Sequence, residues 1–334
     1  MAHRGTNAHD EQDELMSSSV PGSLRLTPEE VMTALLAAGR APSLHNTQPW
    51  RFRVLSSRIE LHADTRRSLP VTDPHDRELR IACGAALLNL RLAIEALGVE
   101  SVLTLAPSTR EQGLLAVVRH TTRNLATSKA LWHFDLIGRR RTCRGPFKDV
   151  PVPAEHVLAL ARAARAERCW LHVVTDPSQR REVLSLVREA HQRQVTDPAY
   201  ITEMAGLSAL NGASGPETQN ERTRRDYHGA STRAQPSPRE PLLLVLCSYL
   251  DDQLGELQAG QAMQRVLLAA TELDMRAAFL SQPTEVPELR ARLRRAVDPT
   301  LTPQVVLHIG YGEPAPPTQR RPVADLVMDT GGAP

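Results

Sequence analysis

The chain has 334 residues, of which 41% are hydrophobic and only 3% aromatic, so any core must be built mainly from aliphatic side chains. Lysine and arginine total 40 against 38 acidic residues, and the resulting net charge of +2 argues against nucleic acid as the main partner. No apolar stretch reaches the length of a membrane-spanning helix, so we expect no membrane partner.

Cysteine use and the first residues indicate a reducing compartment. The four cysteines form no CxxC pair, which argues against a disulfide framework and a zinc site; they are Cys83, Cys143, Cys169 and Cys247. Residues 1–23 are polar and lack the apolar core of an export signal, so we interpret them as a disordered leader. We therefore expect a cytoplasmic protein with no metal site.

The first predicted helix has a clear start. Thr27 is a capping residue, Pro28 suits the first helical position, and Glu30 completes the pattern of a capping box. Pro42 ends the helical pattern. Alternating apolar residues then predict a strand over 50–55, with a hairpin partner over 59–63.

Further elements follow in chain order. Residues 64–80 read as a charged loop that leads into a helix, and residues 83–98 are apolar on nearly every side, which is typical of a buried helix. A second unit begins near Leu131. Residues 205–240 are rich in Gly, Ser, Asn, Arg and Pro, and we interpret them as an insertion or lid. Residues 139–174 are predicted to contain a helix that opens at Pro153 and a strand after it. The remaining predicted strands are 102–105, 114–118, 242–246 and 305–309, and the remaining helices are 178–194 and 258–273.

The two halves of the chain resemble each other. Residues 83–103 align without gaps against 259–279, which pairs Gly84 with Gly260. Upstream, residues 27–55 parallel 152–174, except that the loop at 42–49 is essentially deleted from the second copy. Helices rich in Ala and Leu also align by chance, but the ordered series of matched elements favours duplication. We predict an N-terminal lobe at 24–125 and a C-terminal lobe at 130–330, related by an approximate two-fold axis.

One candidate motif is the segment APSLHNTQPW at residues 41–50. Pro42 and Pro49 bracket short polar side chains between a helix and a strand, so the loop is stiff. It offers Ser43, Asn46 and Gln48 as donors and acceptors. The alternative interpretation is an ordinary turn that places Trp50 in the core.

A second candidate motif is the arginine-rich segment at residues 139–144. Four guanidiniums within six residues repel one another unless an anion lies among them. A solvated basic loop is the alternative. Arg320 and Arg321 follow the last predicted strand. If this C-terminal tail crossed onto a phosphate-binding site of the other lobe, one bound phosphate would explain both the segment 139–144 and the two tail arginines.

These motifs resemble those of FMN-dependent nitroreductases. The pattern APSxxNxQPWxF is similar to their flavin-contacting loop, and RRxxxR before PVP and a helix is similar to the segment that opens those enzymes. The order of the motifs, with DxxRxLxxxDPxxRE between them, resembles the Acg-type nitroreductase-like proteins of actinobacteria. The resemblance runs from about residue 27 to residue 327.

The resemblance implies an α+β nitroreductase-like fold, with two mixed, mainly antiparallel sheets flanked by helices and an internal pseudo-two-fold duplication. It implies one FMN between the lobes, with the arginines at its phosphate and at the N1/O2 edge of its ring. Ser281 and Gln282 occupy the place that faces flavin N5. The implied cofactor-binding residues are Pro42, Ser43, Asn46, Gln48, Arg140, Arg141, Thr142, Arg144, Ser281, Gln282, Arg320 and Arg321.

The implied function is an FMN-dependent oxidoreductase that works by ping-pong hydride transfer. NADPH or NADH would donate the hydride and a nitro- or quinone-like small molecule would accept it, with the chemistry on flavin N5 and no catalytic side chain assigned. The alternative is a flavin-sequestering or sensing protein, in which the segment 205–240 covers the flavin and blocks turnover. We expect a monomer with pseudo-dimeric lobes or a weak homodimer.

Overall fold

The computed structural model describes residues 21–107, 111–210, 240–313 and 315–328. The helices in these ranges are α1 (Pro28–Gly39), α2 (Arg77–Ala96), α3 (Ser128–Arg139), α4 (Ala154–Ala166), α5 (Pro177–Thr196), α6 (Pro198–Leu210), α7 (Gln253–Glu272), α8 (Gln282–Glu285), α9 (Pro287–Val297) and α10 (Val323–Leu326). The strands are β1 (Trp50–Leu55), β2 (Arg58–Ala63), β3 (Val99–Leu105), β4 (Leu114–Arg123), β5 (Trp170–Val173), β6 (Leu242–Ser248), β7 (Met275–Phe279) and β8 (Thr302–Tyr311). Across these described ranges, every helix is too short or too polar to cross a membrane.

Helix α1 begins where the sequence predicts. The Thr27 hydroxyl accepts a hydrogen bond from the Glu30 amide at 3.3 Å, and the Glu30 carboxylate accepts one from the Thr27 amide at 2.8 Å. This reciprocal pair satisfies two amides that the first turn leaves without helical partners. The hairpin of β1 and β2 is also confirmed, and alternate residues of β1 are buried, as half-buried strands require.

The strands form two four-stranded sheets with the same topology. Their orders are β1-β2-β4-β3 and β5-β6-β8-β7, and all neighbouring strands are antiparallel. Parallel pairing occurs in two isolated bridges, between Phe52 and Val327 and between Thr142 and Ala277. The predicted α+β architecture with its internal duplication is confirmed, and within each sheet every strand pairing is antiparallel.

The duplication extends through the order of the elements. Helices α1 and α4 each precede the first strand of a sheet, and helices α2 and α7 each precede its last two strands. The two copies differ between their first and second strands. There the N-terminal lobe has only residues 56–57, whereas the C-terminal lobe carries α5, α6 and the residues up to β6.

Helices α2 and α7 cross at the two glycines that the repeat alignment pairs. A Cβ atom on Gly84 would lie 2.4 Å from the Leu257 carbonyl oxygen, and one on Gly260 would lie 2.0 Å from the Ile81 carbonyl oxygen. Only glycine permits two helix backbones to approach this closely. The crossing places both helices, which are buried along most of their length, at the centre of the core.

Several elements differ from the sequence-based expectations. Helix α3 was not predicted, because Leu131 and Trp132 on it are exposed and obscure the helical spacing of its buried residues. Helix α6 runs to Leu210, so the segment 205–240 begins as helix. Residues 211–239 of that segment lie outside the described residues, as do residues 1–20 of the expected leader. Ser23, at the end of the leader, is buried, and its hydroxyl donates to the Arg58 carbonyl at 3.2 Å.

Candidate functional site

The loop between α1 and β1 has an unusual backbone. His45, Asn46 and Gln48 have φ angles of 48°, 59° and 50°, in the left-handed region that residues other than glycine seldom adopt. The Ser43 hydroxyl accepts a hydrogen bond from the Gln48 amide at 2.9 Å, which holds the loop in this shape. Strain of this kind persists only where the surroundings enforce it, and it concentrates at functional sites.

The C-terminal tail crosses onto the N-terminal lobe. Val327 forms a parallel bridge with Phe52 of β1, and the Met328 amide donates to the Phe52 carbonyl at 2.8 Å. Leu326 packs against α1 so closely that a Cβ atom on Gly39 would lie 3.1 Å from its side chain. The structure therefore places Arg320 and Arg321 beside the lobe that carries the APSLHNTQPW loop.

The two tail arginines contact this loop directly. The Arg320 guanidinium donates to the Asn46 Oδ1 atom at 3.0 Å, and Asn46 Nδ2 donates to the Gln319 carbonyl at 3.2 Å. The Arg321 amide donates to the Gln48 Oε1 atom at 3.0 Å, and its guanidinium donates to the Gln48 carbonyl at 2.9 Å. The predicted residues Asn46 and Gln48 thus hold the tail in place.

Arginines from both ends of the C-terminal lobe meet across a cleft of about 260 Å³. Small-molecule pockets are typically about 300–1,000 Å³, so a cleft of this size suits the charged end of a ligand better than a whole cofactor. The lining combines arginines with aliphatic side chains. The lining residues are Leu36, Gly39, Arg40, Ile137, Arg140, Arg141, Thr142, Pro317, Thr318, Arg320, Arg321, Val323 and Leu326.

The positive charges of Arg140 and Arg320 are destabilised by burial and by repulsion from neighbouring arginines. Burial, with the charges of Arg320 and Arg141, lowers the pKa of Arg140 to about 9. Burial and neighbouring arginine charges likewise lower the pKa of Arg320 to about 10. Within the described part of the chain, neither forms an ion pair with a carboxylate, and the Nε atom of each is buried without a hydrogen-bond partner. An anion in the cleft would remove both penalties.

Arg321 differs from these two because an acidic residue lies near it. Its guanidinium is 3.9 Å from the Asp64 carboxylate, which also binds Arg66 at 2.8 Å. Burial and the neighbouring Arg67 lower the pKa of Arg321 to about 10, although Asp64 opposes the change. The net positive charge of the cleft is therefore concentrated on its other arginines.

The arginine-rich segment is fixed to the C-terminal sheet. Thr142 forms a bridge with Ala277 of β7, and the Cys143 amide donates to the Ala277 carbonyl at 2.7 Å. Arg140, Arg141 and Thr142 line the cleft, whereas Arg144 is exposed and is not among its lining residues. Pro42, which is buried, and Ser43, whose hydroxyl binds the Gln48 amide, do not line the cleft either.

Ser281 and Gln282 lie after β7 and away from the cleft lining. The Ser281 hydroxyl accepts a hydrogen bond from the Val306 amide at 3.2 Å, which fixes this turn to β8. Gln282 is 1% exposed, and its Oε1 atom has no hydrogen-bond partner in the described ranges. The assignment of these two residues to a flavin ring stays a prediction.

Sequence reasoning missed two parts of the site. Arg40 lines the cleft although it lies just before the APSLHNTQPW motif and outside it. A cationic residue directly beside that motif was the signal that could have identified it. Helix α6 packs beside the loop, with the Tyr200 ring 6.4 Å from the His45 ring. The Glu203 carboxylate accepts hydrogen bonds from the Val71 and Thr72 amides at 2.9 and 3.0 Å, which ties α6 to the N-terminal lobe.

One cluster elsewhere has residues of the type that bind metals. Ligand atoms of Glu60, His62 and Glu111 lie within 4.8 Å of one another. However, the Glu60 carboxylate also accepts a hydrogen bond from Arg58 at 2.6 Å, and Arg53 binds both glutamates. Burial lowers the pKa of His62, which favours its neutral form. The arginines already balance these carboxylates, so the cluster is an ion-pair network.

Comparisons with known proteins found relatives of this chain. A sequence model of the Nitroreductase family matches residues 137–312. The Mycobacterium tuberculosis (strain H37Rv) protein named "Putative NAD(P)H nitroreductase Rv3131" is 32% identical over 320 residues, covering 90% of this chain and 91% of that protein. A second relative from that strain, named acg, is 27% identical over 318 residues, covering 90% and 96%.

Among solved structures, the chain is similar to an FMN-bound nitroreductase from Desulfitobacterium hafniense. The identity is 15% and the TM-score 0.41, over 57% of this chain and 94% of that one. The family match covers more than half of the chain, and the relative with 32% identity spans nearly all of it. The chain therefore belongs to the nitroreductase family.

Proposed function

We propose that this chain is an FMN-dependent oxidoreductase that transfers a hydride from NADPH or NADH, through flavin N5, to a nitro- or quinone-like acceptor. The observation that carries the proposal is the cleft in which Arg140, Arg141 and Arg320 converge without a carboxylate among the described residues. A phosphate monoester satisfies such a site because its oxygens accept several charge-assisted hydrogen bonds. Family membership supports FMN as the molecule that carries this phosphate.

The residues present fit the phosphate end of FMN. Among the described residues, the buried Nε atoms of Arg140, Arg320 and Arg321 have no hydrogen-bond partner, and phosphate oxygens would supply acceptors for them. We propose that Arg140, Arg141, Thr142, Arg320 and Arg321 hold the phosphate. Ser43, Asn46 and Gln48 lie outside the cleft lining, so we propose that they meet a part of the cofactor other than its phosphate from the N-terminal lobe, and one chain would build one complete site.

When bound, FMN supplies reversible two-electron chemistry. The nicotinamide gives up a hydride and is oxidised; the acceptor gains two electrons and, with one proton from solvent, is reduced. The chain's own residues would bind the FMN phosphate, orient the flavin ring and polarise it. A positive charge near the pyrimidine edge of the ring, for which Arg144 remains our candidate, would favour the uptake of electrons.

The rival proposal is a flavin store with little turnover. One observation favours it, because α6 is tied to the N-terminal lobe through Glu203 and lies beside the strained loop. A fixed helix in that position would limit the access of a nicotinamide or an acceptor. The two proposals agree on FMN and differ in whether the bound flavin can be reduced.

Flavin release and anaerobic reduction test both proposals. We expect denaturation of the purified or reconstituted protein to release one FMN per chain, and NADPH to bleach the flavin absorption near 450 nm before an acceptor restores it. Binding without bleaching by NADPH or NADH would favour the store. A protein that cannot be reconstituted with FMN would overturn both.

The arginines provide a matched pair of variants. Arg140→Ala should weaken FMN binding by about 1.5–3 kcal/mol, because it removes charge-assisted contacts. Arg139→Ala is the control, since Arg139 lies outside the cleft lining and pairs with Asp135 at 3.6 Å. Equal FMN affinity in both variants would show that the cluster is only a solvated loop.

A further inference from the structure

We infer that Arg40 is a ligand-binding residue that completes the arginine cleft from the N-terminal lobe and makes it selective for a phosphorylated flavin. The inference rests on the proposed function, because it takes the anion in the cleft to be the phosphate of FMN. Neither the recognised loop motif nor the arginine-rich segment includes this residue. Its role follows from where α1 ends.

The backbone of Arg40 is tied to the tail that carries Arg320. It is the C-cap residue that follows α1, and its carbonyl accepts a hydrogen bond from the Arg320 guanidinium at 3.3 Å. Arg40 is among the residues that line the cleft, together with Arg140 and Arg141. Within the residues that the structure describes, Arg40 has no ion pair with a carboxylate, and its charge helps to lower the pKa of Arg320 after burial and Arg141.

The position of Arg40 gives the cleft a charge from each lobe. Arg140 and Arg141 follow α3 and are fixed to the C-terminal sheet, whereas Arg40 caps the C-terminus of α1 in the N-terminal lobe. Like charges on two lobes repel across the space between them. A phosphate between them reverses this repulsion, so ligand binding should also strengthen the association of the lobes.

Arg40 is exposed, which determines the kind of contribution we expect. The buried Arg140 side chain is shielded from salt, but an exposed guanidinium is screened by counterions within about 10 Å at 0.1 M salt. The contribution of Arg40 to phosphate binding should therefore shrink as salt is added. That of Arg140 should persist.

An ordinary structural role gives different expectations. A cation at the C-terminus of a helix interacts favourably with the helix dipole, and many arginines occupy such positions for that reason alone. Removing Arg40 would then lower the stability of the protein without its ligand. It would not change the preference of the site for FMN over riboflavin, which lacks the phosphate.

The experiment compares FMN and riboflavin binding to the full-length apoprotein by quenching of flavin fluorescence. We expect Arg40→Ala to weaken FMN binding by about tenfold, the usual scale for a charge-assisted contact, and to leave riboflavin binding unchanged. Arg40→Lys should recover part of the loss. Arg139→Ala removes a nearby exposed charge outside the cleft lining and should bind FMN as the wild type does.

Thermal unfolding provides a second readout. FMN should raise the Tm of Arg40→Ala less than it raises that of the wild type, and added salt should reduce the difference. Unchanged FMN affinity in Arg40→Ala would overturn the inference, and so would equal losses for FMN and riboflavin, which would show that Arg40 acts through the shape of the loop.

Inorganic phosphate separates failure of the inference from failure of the proposed function. If phosphate raises the Tm of the wild type but not of Arg40→Ala while FMN does not bind, the proposed cofactor is wrong and the role of Arg40 in anion binding stands. If FMN binds the wild type and Arg40→Ala equally well, the proposed cofactor stands and the inference is wrong. If neither ligand binds the wild type, both are wrong.

Discussion

The crossing of α2 and α7 gives the sharpest test of how the two lobes pack. In Gly260→Ala, the new methyl group would lie 2.0 Å from the Ile81 carbonyl oxygen, whereas ordinary contact begins at 3.4 Å. The shortfall of 1.4 Å (3.4 minus 2.0) is against backbone, which cannot rotate away, so the helices must separate. Because both lobes meet at this crossing, the change should also disturb the cleft between them.

The expected cost is the difference between two opposing effects. Overpacking a core costs about 1–3 kcal/mol and more where backbone must move. Alanine in a helix gains about 0.5–1 kcal/mol over glycine, because it restricts the unfolded chain. We therefore expect Gly260→Ala to lower the free energy of unfolding by about 2 kcal/mol or more. Gly206→Ala is the control, because nothing lies within 4 Å of its added methyl group in α6.

Urea denaturation measures both variants. Gly206→Ala should raise the midpoint and Gly260→Ala should lower it, so the prediction is a difference in sign. Gly84→Ala combined with Gly260→Ala should cost less than the sum of the single changes, because one separation of the helices relieves both clashes. A Gly260→Ala protein as stable as the wild type would refute the close crossing and the lobe packing built on it.

Three further predictions concern the loop, a buried histidine and the anchor of α6. Asn46→Ala should weaken FMN binding with little loss of stability, and intact FMN affinity in this variant would count against a contact between Asn46 and FMN. Trp50→Ala removes a fully buried ring and should lower the free energy of unfolding, measured by urea denaturation, by about 3–5 kcal/mol. Burial lowers the pKa of His308 to about 3 from its ordinary 6.5. Between these two pH values the unfolded chain is protonated at His308 and the native chain is not. The wild type should therefore lose stability between pH 6.5 and 3, by about 2 kcal/mol at pH 5, and His308→Leu should lose less over the same interval. Glu203→Ala releases the amides that tie α6 to the N-terminal lobe, and it should speed the anaerobic reduction of bound flavin in stopped-flow if α6 limits access; an unchanged rate would remove α6 from that role.

The sequence predicted elements of the fold correctly where capping residues or the spacing of apolar residues matched the helices and strands that the structure forms. The capping box at Thr27 is a local interaction, and the structure forms it as predicted. The buried helix α2 was predicted because it is apolar on nearly every side. Helix α3 was missed because its exposed Trp132 binds Glu272 at 2.9 Å and packs on Arg139 at 5.2 Å, contacts that single-sequence periodicity does not register.

The site was predictable in its motifs but not in its assembly. The loop and the tail arginines were both proposed, yet the hydrogen bond between Asn46 and Arg320 joins residues far apart in the chain. Arg40 belongs to no motif and enters the site only because α1 ends at the cleft. Arg144 carries the same charge as its neighbours, but the turn after Cys143 leaves it exposed, and composition alone does not show which arginines of a cluster converge.

The contacts at the pseudo-two-fold axis explain why one chain should hold one site. On a true two-fold axis a residue faces its own copy, so an arginine would face an arginine. In the register that pairs Gly84 with Gly260, Arg80 pairs with Glu256, and these two side chains form an ion pair. Such a pair of opposite charges requires two copies free to diverge. The arginine cleft is asymmetric in the same way, because the strained loop lies in the N-terminal lobe, the arginine-rich segment lies in the C-terminal lobe, and the tail of the C-terminal lobe contacts the strained loop.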